Sequence, residues 1–283
     1  MSLQPANAEQ AEYWNGPGGR HWTERQEMQD ALLAPVSAIA LKAARSKAGE
    51  RVLDIGCGCG DTSLALAQSV GPLGHVLGLD LSEAMLARAR ERAPAHARVA
   101  FAAGDATGYG FAPGAADLLF SRFGVMFFAD PTRSFANMRL GLKPAGRVVF
   151  ACWREAKLNP WLGLPLRAAV KHVPRLPDLG PEDPGPFSFA DLGRVRRILE
   201  GAGFGGFAAT PHDLELDVAG GKGLEGALAS ALEIGPASRA LEGQPEPLRA
   251  AATQSIREAL APHLVGDKVP LGAAIWIVEA TNG

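Results

Sequence analysis

Apolar segments alternate with helical patterns between residues 51 and 153, and this alternation limits the fold more than any other feature of the sequence. Each apolar segment ends at glycine or polar residues, as buried strands do. A repeated strand–helix order is typical of parallel βαβ units with right-handed crossovers. We predict strands at RVLDIG (from 51), HVLGLD (75), VAFAAGD (99), ADLLFS (116) and GRVVFACW (146), and helices at 62–70, 82–92 and 131–142, the last closed by a turn at 143–146.

The flanking regions have different patterns. Residues 1–22 combine three large aromatic side chains with glycines and predict an ordered aromatic arm, and helical spacing follows at 30–45. Residues 159–186 are rich in proline and glycine, too irregular for further βαβ units, and predict a cap. A helix at 190–203 and strands at GFAATPHDLELD (from 206) and GAAIWIVEA (272) follow. We therefore predict four parts: 1–44, aromatic arm and helix; 45–152, core; 153–189, cap insertion; 190–283, the C-terminal part of the core with a helical insertion at 219–263.

Composition excludes several classes of protein. A length of 283 residues suits one core with a cap. The composition, with 47% hydrophobic and 20% charged residues, is typical of a folded globular chain. Lys and Arg number 28 against 30 acids, so the net charge of −2 gives no general attraction to nucleic acid. The start has no secretory pattern, and no apolar run approaches the roughly 20 residues of a membrane span. We predict a cytoplasmic protein with reduced cysteines, without a membrane span and without a nucleic-acid partner.

The segment VLDIGCGCGD at 52–61 is the most informative motif. Closely spaced glycines between a strand and a helix let a ligand lie directly against the backbone. In the dinucleotide fingerprint a third glycine would stand at position 61, where this chain has Asp61. An acid at the helix start disfavours a pyrophosphate but tolerates a ligand that carries a cation.

Acidic residues follow the next two predicted strands. Asp80 lies twenty residues beyond Gly60, where a carboxylate accepts hydrogen bonds from both ribose hydroxyls. Ser82 is a suitable N-cap, and Met85 offers a soft apolar surface for a purine face. Asp105 could accept from an exocyclic amine. These residues together predict a site for an adenosine-like ligand.

The segments VLDIGCGCG, DLSEAML, GDA, ADLLFSRFGVMFF and KPAGRVVF occur in one order over roughly residues 45–152. In this the chain resembles the class I S-adenosylmethionine-dependent methyltransferases, and within them the ubiquinone/menaquinone-biosynthesis type of small-molecule methyltransferase. The resemblance implies S-adenosylmethionine as the cofactor, with S-adenosylhomocysteine as its product. It also implies an α/β fold: a Rossmann-like, doubly wound sheet of seven strands in the order 3-2-1-4-5-7-6, with an antiparallel last strand at GAAIWIVEA and helical cap insertions.

The resemblance further implies which residues bind the cofactor. Residues 45–152 become the cofactor-binding core, and the aromatic arm becomes a lid that closes over the donor. The implied cofactor-binding residues are Tyr13, Trp14, Arg20, Trp22, Asp54, Gly56, Cys57, Gly58, Asp80, Leu81, Met85, Gly104, Asp105, Ala106, Ser121, Arg122 and Phe123.

No general base stands out, and the candidates for a catalytic role are His172, Arg122, Tyr13 and His212. We predict no metal site, because Cys57 and Cys59 have no second pair of cysteines or closely spaced histidines to complete a zinc ligand set. Plainer alternatives stay open: the aromatic arm fills an apolar gap, Asp54 caps the glycine turn, and the histidines are surface or core residues.

We therefore predict metal-free, in-line methyl transfer to an O, N, C or S nucleophile of a small molecule. The alternatives are a nicotinamide-dependent oxidoreductase and a non-catalytic regulatory protein that binds S-adenosylmethionine. The helical insertion would form a second part of the cap or a surface for a homodimer.

Overall fold

The computed structural model describes residues 7–177, 180 and 182–283. The predictions for residues 1–6 of the arm and for 178, 179 and 181 of the cap lie outside the described residues. A seven-stranded sheet forms the centre of the fold. Its strands are β1 (Arg51–Ile55), β2 (His75–Asp80), β3 (Val99–Ala103), β4 (Ala116–Arg122), β5 (Leu142–Trp153), β6 (Phe204–Asp217) and β7 (Pro270–Asn282).

The spatial order of the strands is β3-β2-β1-β4-β5-β7-β6. The first five are parallel to one another, and β7 is antiparallel to both β5 and β6. The predicted fold class, strand order and antiparallel last strand are therefore confirmed. Residues 52–55 of β1 are all buried, which explains why the strand is a continuous apolar run with a single acid.

The helices are α1 (Ala8–Asn15), α2 (Pro17–Glu24), α3 (Gln26–Ala44), α4 (Asp61–Val70), α5 (Glu83–Arg92), α6 (Pro131–Leu140), α7 (Pro160–Ala169), α8 (Leu192–Gly201), α9 (Gly223–Glu233), α10 (Pro236–Leu241) and α11 (Glu246–Leu260). Helices α3 and α4 pack together, as do α6 and α8, and these pairs cover the sheet. Helices α10 and α11 pack on α7, and α9 packs on α10 and α11. Among the described residues, no helix combines the length and the apolarity needed to span a bilayer.

The structure differs from the prediction at three places. The aromatic arm contains two helices, α1 and α2. The prediction of an irregular segment at 159–186 is wrong for residues 160–169, which form α7; proline suits the first position of this helix because no intrahelical hydrogen bond is needed there. The predicted turn at 143–146 lies within β5, as an irregular stretch in which Ala145 has a φ of 60°. The four-part division of the chain stays a prediction.

Candidate functional site

The loop between β1 and α4 turns on glycines with left-handed backbone angles. Gly56 and Gly58 have φ values of 68° and 54°. A Cβ on Gly56 would stand 2.6 Å from the Cα of Gly124, so the loops after β1 and β4 touch through two glycines. A Cβ on Gly58 would point toward Met85 and Trp22, 3.8 and 3.9 Å away. The loop thus presents bare backbone to the space between these side chains.

A cavity of about 630 Å³ opens at the carboxyl ends of the parallel strands. This volume is in the usual range for small-molecule sites, and the carboxyl edge is where open α/β sheets bind ligands. Its wall includes most of the predicted cofactor-binding residues: Tyr13, Trp14, Trp22, Gly56, Cys57, Gly58, Asp80, Leu81, Met85, Gly104, Asp105, Ala106, Arg122 and Phe123.

Asp80 ends β2 and holds the glycine loop in place. Its Oδ2 accepts a hydrogen bond from the Gly58 N–H at 2.8 Å, and its Oδ1 accepts one from the Ser82 N–H at 2.9 Å. Burial raises the pKa of Asp80, while these two N–H donors favour its charged form. Asp80 also lines the cavity, so its carboxylate is within reach of a ligand there.

Asp105 is tied to the N-terminal helices by a residue that the sequence did not reveal. Asn7 donates to Asp105 Oδ1 at 2.7 Å and to Thr107 Oγ1 at 2.9 Å, and its side-chain oxygen accepts from the Ala129 N–H at 2.7 Å. The Thr107 N–H also donates to Asp105 Oδ1, at 2.8 Å. Asn7 stands at the N-cap of α1 without capping it. A lone asparagine before a helix gives no signal of such a network.

Asp54 and Ser121 do not line the cavity. Asp54 is fully buried below the loop, where its Oδ2 accepts hydrogen bonds from Thr62 (2.8 Å) and Ser63 (2.6 Å). Its Oδ1 is buried without a partner, and burial raises the pKa of Asp54 to about 6. Ser121 donates to the Ile55 carbonyl at 2.7 Å. Both side chains therefore hydrogen-bond to groups beside the loop, and their role toward the cofactor stays a prediction.

Arg122 and Asp61 form an ion pair beside the cavity. Arg122 Nη1 donates to Asp61 Oδ2 at 2.8 Å and to Ser37 Oγ at 2.6 Å. The Arg122 side chain is only 10% exposed and lines the cavity, whereas Asp61 does not line it. Asp61 therefore does not present an unpaired negative charge to a ligand, contrary to the argument made from the sequence.

The aromatic arm packs as an edge-to-face cluster. The Trp14 ring lies 5.1 Å from Tyr13, 6.2 Å from Trp22 and 5.4 Å from Phe127, between ring centroids. Trp14 and Trp22 are partly buried, and Tyr13 is 41% exposed. Arg20, predicted in the same arm, is exposed and does not line the cavity.

Two of the four catalytic candidates lie away from the cavity. His172 contacts Ser255 Oγ at 2.7 Å, and His212 lies on the edge strand β6. A different histidine, His21, lines the cavity. Cys57 and Cys59 are buried thiols whose pKa values are raised by burial, that of Cys59 to about 11. Within the described ranges, no three His, Cys, Asp or Glu side chains are grouped closely enough to hold a metal ion.

An ion pair that the sequence did not predict joins the N-terminal helices to the helical insertion. Arg25, between α2 and α3, donates to Glu233 at the end of α9, and both line the cavity. Among the described residues, no other hydrogen bond or ion pair joins residues 7–44 to residues 219–263. The carboxylate raises the pKa of Arg25. The two residues are 208 positions apart, so no local pattern could indicate the contact.

The part of the chain that contains the glycine loop and β2 to β4 resembles known proteins. Residues 52–146 match the family described as "Methyltransferase domain". The chain is 37% identical over 101 residues to the demethylmenaquinone methyltransferase of Staphylococcus aureus. These matched residues make up 36% of this chain and 42% of that protein. The chain thus spans less than half the length of the curated relatives that it matches.

Solved structures show the same fold at low sequence identity. The YcgJ protein of Bacillus subtilis has a TM-score of 0.56 at 15% identity, covering 88% of this chain and 98% of that one. Phosphoethanolamine N-methyltransferase 2 of Haemonchus contortus was solved with phosphomonomethylethanolamine and S-adenosylhomocysteine. It has a TM-score of 0.52 at 21% identity, and the match covers 99% of this chain and 58% of that one. Residues 52–146 therefore resemble a methyltransferase domain, and the chain shares the fold of these solved structures.

Proposed function

We propose that the protein transfers a methyl group from S-adenosylmethionine to an O, N, C or S nucleophile of a small molecule, without a metal. One observation carries the proposal most directly. The Gly58 backbone, the Asp80 carboxylate and the Met85 side chain converge on one wall of the cavity, within the matched domain. Bare backbone, a carboxylate and a soft apolar surface suit the amino-acid end, the ribose and the adenine of this donor.

The donor would supply an electrophilic methyl group bound to a positively charged sulfur. In the transfer, the nucleophile forms the new bond to carbon and the electrons of the sulfur–carbon bond return to sulfur. The protein then has to hold the reactants in line and exclude water. In our proposal Asp80 accepts the ribose hydroxyls, Met85 and Ala106 enclose the adenine, and the aromatic arm covers the donor. The arm as a lid, a cytoplasmic location and a homodimer stay predictions.

Calorimetric titration with S-adenosylhomocysteine tests the donor site. Hydrogen bonds to a charged group contribute about 1.5–3 kcal/mol, so Asp80→Asn should weaken binding roughly ten- to a hundredfold. Asp213→Asn is the matched control, because Asp213 is an exposed carboxylate on β6 outside the cavity. Equal affinity of the two variants would contradict the ribose role, once circular dichroism shows that both are folded.

Two further measurements separate the alternatives. Binding of a nicotinamide dinucleotide more tightly than S-adenosylhomocysteine would favour the oxidoreductase. Incubation of the protein with methyl-labelled S-adenosylmethionine and a small-molecule extract should yield new labelled species by mass spectrometry. Tight donor binding without any transfer of label would favour the regulatory protein.

A further inference from the structure

The helical insertion places two arginines where the cavity opens to solvent. Arg239 lies in α10, and Arg249 lies near the start of α11. Both residues line the cavity and both are exposed, so they stand at its mouth. Thr253 follows Arg249 by one helical turn and also lines the cavity, so it lies on the same side of α11. We call Arg239, Arg249 and Thr253 the arginine rim.

The two rim arginines differ from the other arginines at the cavity, because they have no acidic partner. Arg122 is paired with Asp61, and Arg25 with Glu233. Among the described residues, the side chains of the rim arginines make no hydrogen bond and no ion pair. Their guanidinium groups are therefore available to a ligand that enters the cavity.

The carboxylates at the cavity do not balance the arginine rim. Asp80 ends β2 and Asp105 follows β3, so both belong to the proposed donor site, and Glu233 is paired with Arg25. Within the described part of the chain, Glu242 at the end of α10 is the remaining carboxylate that lines the cavity. Two unpaired guanidinium groups against one carboxylate leave an excess of one positive charge at the mouth, in a chain whose net charge is −2. This balance attracts an anion and repels a cation.

We propose that the arginine rim binds an anionic group, a carboxylate or a phosphate, of the methyl acceptor. This inference rests on the proposed function, because it assigns the mouth of the cavity to the acceptor. A guanidinium group binds a carboxylate or a phosphate through two parallel N–H···O hydrogen bonds, and the Thr253 hydroxyl can donate a further one. The acceptor then lies with its anionic group at the mouth and its nucleophile toward the proposed donor site.

The test is calorimetric titration of the full-length protein loaded with S-adenosylhomocysteine, which keeps the probes out of the donor site. The probes share an unbranched hexyl chain and differ in the head group: hexanoate and hexyl phosphate are anionic, 1-hexanol is neutral and hexylamine is cationic at neutral pH.

We expect at least one of the two anions to bind about tenfold more tightly than 1-hexanol, with a preference that decreases in high salt, and hexylamine to bind most weakly. The anion that binds more tightly identifies the acceptor group as a carboxylate or a phosphate. Binding of neither anion, equal affinity for the anions and 1-hexanol, tighter binding of hexylamine, or displacement of S-adenosylhomocysteine by the anions would overturn the inference.

Variants test whether the rim itself selects the anion. Arg239→Gln and Arg249→Gln should each weaken binding of the preferred anion about tenfold and leave the affinity for 1-hexanol nearly unchanged. Glu242→Gln should strengthen anion binding, because it removes the negative charge at the mouth. Arg257→Gln is the matched control, because Arg257 lies two turns beyond Arg249 on α11, outside the cavity, and is paired with Glu225. Unchanged anion affinity in both rim variants, or weaker anion binding in Glu242→Gln, would overturn the assignment.

The same titrations separate failure of this inference from failure of the proposed function. If S-adenosylhomocysteine binds and neither anion is preferred over 1-hexanol, the donor site stands and the assignment of the arginine rim is wrong. If S-adenosylhomocysteine does not bind to the wild-type protein, the proposed function itself fails.

Discussion

The buried carboxyl group of Asp54 should make the stability of the protein fall as the pH rises. Asp54 has no exposed surface, and burial raises its pKa from an ordinary value of 3.8 to about 6. Between these two values the folded protein keeps a proton that the unfolded chain has lost, so raising the pH favours unfolding. Each pKa unit corresponds to 1.36 kcal/mol. The raised pKa therefore lowers the free energy of unfolding by about 3 kcal/mol at pH 7.5 but by only about 1 kcal/mol at pH 4.5.

Asp54→Asn removes the titration while keeping an oxygen that can accept from Thr62 and Ser63. The free energy of unfolding of this variant, relative to wild type, should therefore rise by about 2 kcal/mol between pH 4.5 and 7.5. Urea denaturation followed by tryptophan fluorescence at several pH values measures this difference. Asp213→Asn is the control, since its carboxylate is 81% exposed. A difference between Asp54→Asn and wild type that stays constant with pH would refute the reasoning.

Two further predictions concern the walls of the cavity. Gly56→Ala should lower the free energy of unfolding by about 2 kcal/mol or more beyond the effect of Gly49→Ala. Both glycines have left-handed φ values, but a Cβ at Gly49 meets open space, whereas one at Gly56 meets the Gly124 backbone. Equal free energies of unfolding in urea would contradict the close approach of the two loops. A double-mutant cycle on Arg25 and Glu233 should give a coupling energy of about 0.2–1 kcal/mol that decreases in high salt, because both side chains are about one-third exposed. A coupling energy that salt does not change would show that the pair is shielded from solvent.

The sheet could be predicted from the sequence because its strands are short apolar runs between clear breaks. Where glycine or proline served as a marker of irregular structure, the prediction was less accurate. Pro160 begins α7, although a segment rich in proline was expected to be irregular. Residues 143–145 were expected to form a turn and instead lie within β5. Local composition cannot indicate whether a proline stands at a helix start or in a loop.

Most of the predicted cofactor-binding residues line one cavity, because they follow strands that end at one edge of the sheet. Other parts of the cavity wall were not predictable, since their residues come together only in the folded chain. Trp153 and Trp161 belong to β5 and α7, and nothing in the sequence places their rings beside Phe123. The family resemblance implied that Asp54 and Ser121, near the ends of β1 and β4, bind the cofactor. Their side chains turn instead to the groups below the loop, where unpaired polar groups would otherwise be buried.

The hydrogen bonds of Asn7 have a consequence for the order in which the chain folds. Its partners, Asp105, Thr107 and Ala129, are 98 to 122 positions further along the sequence. These N-terminal helices are synthesised before their anchoring points, which do not exist until β3 and the loop after β4 are in place. These helices should therefore dock late, and hydrogen exchange during refolding should show their amides protected after those of the central strands.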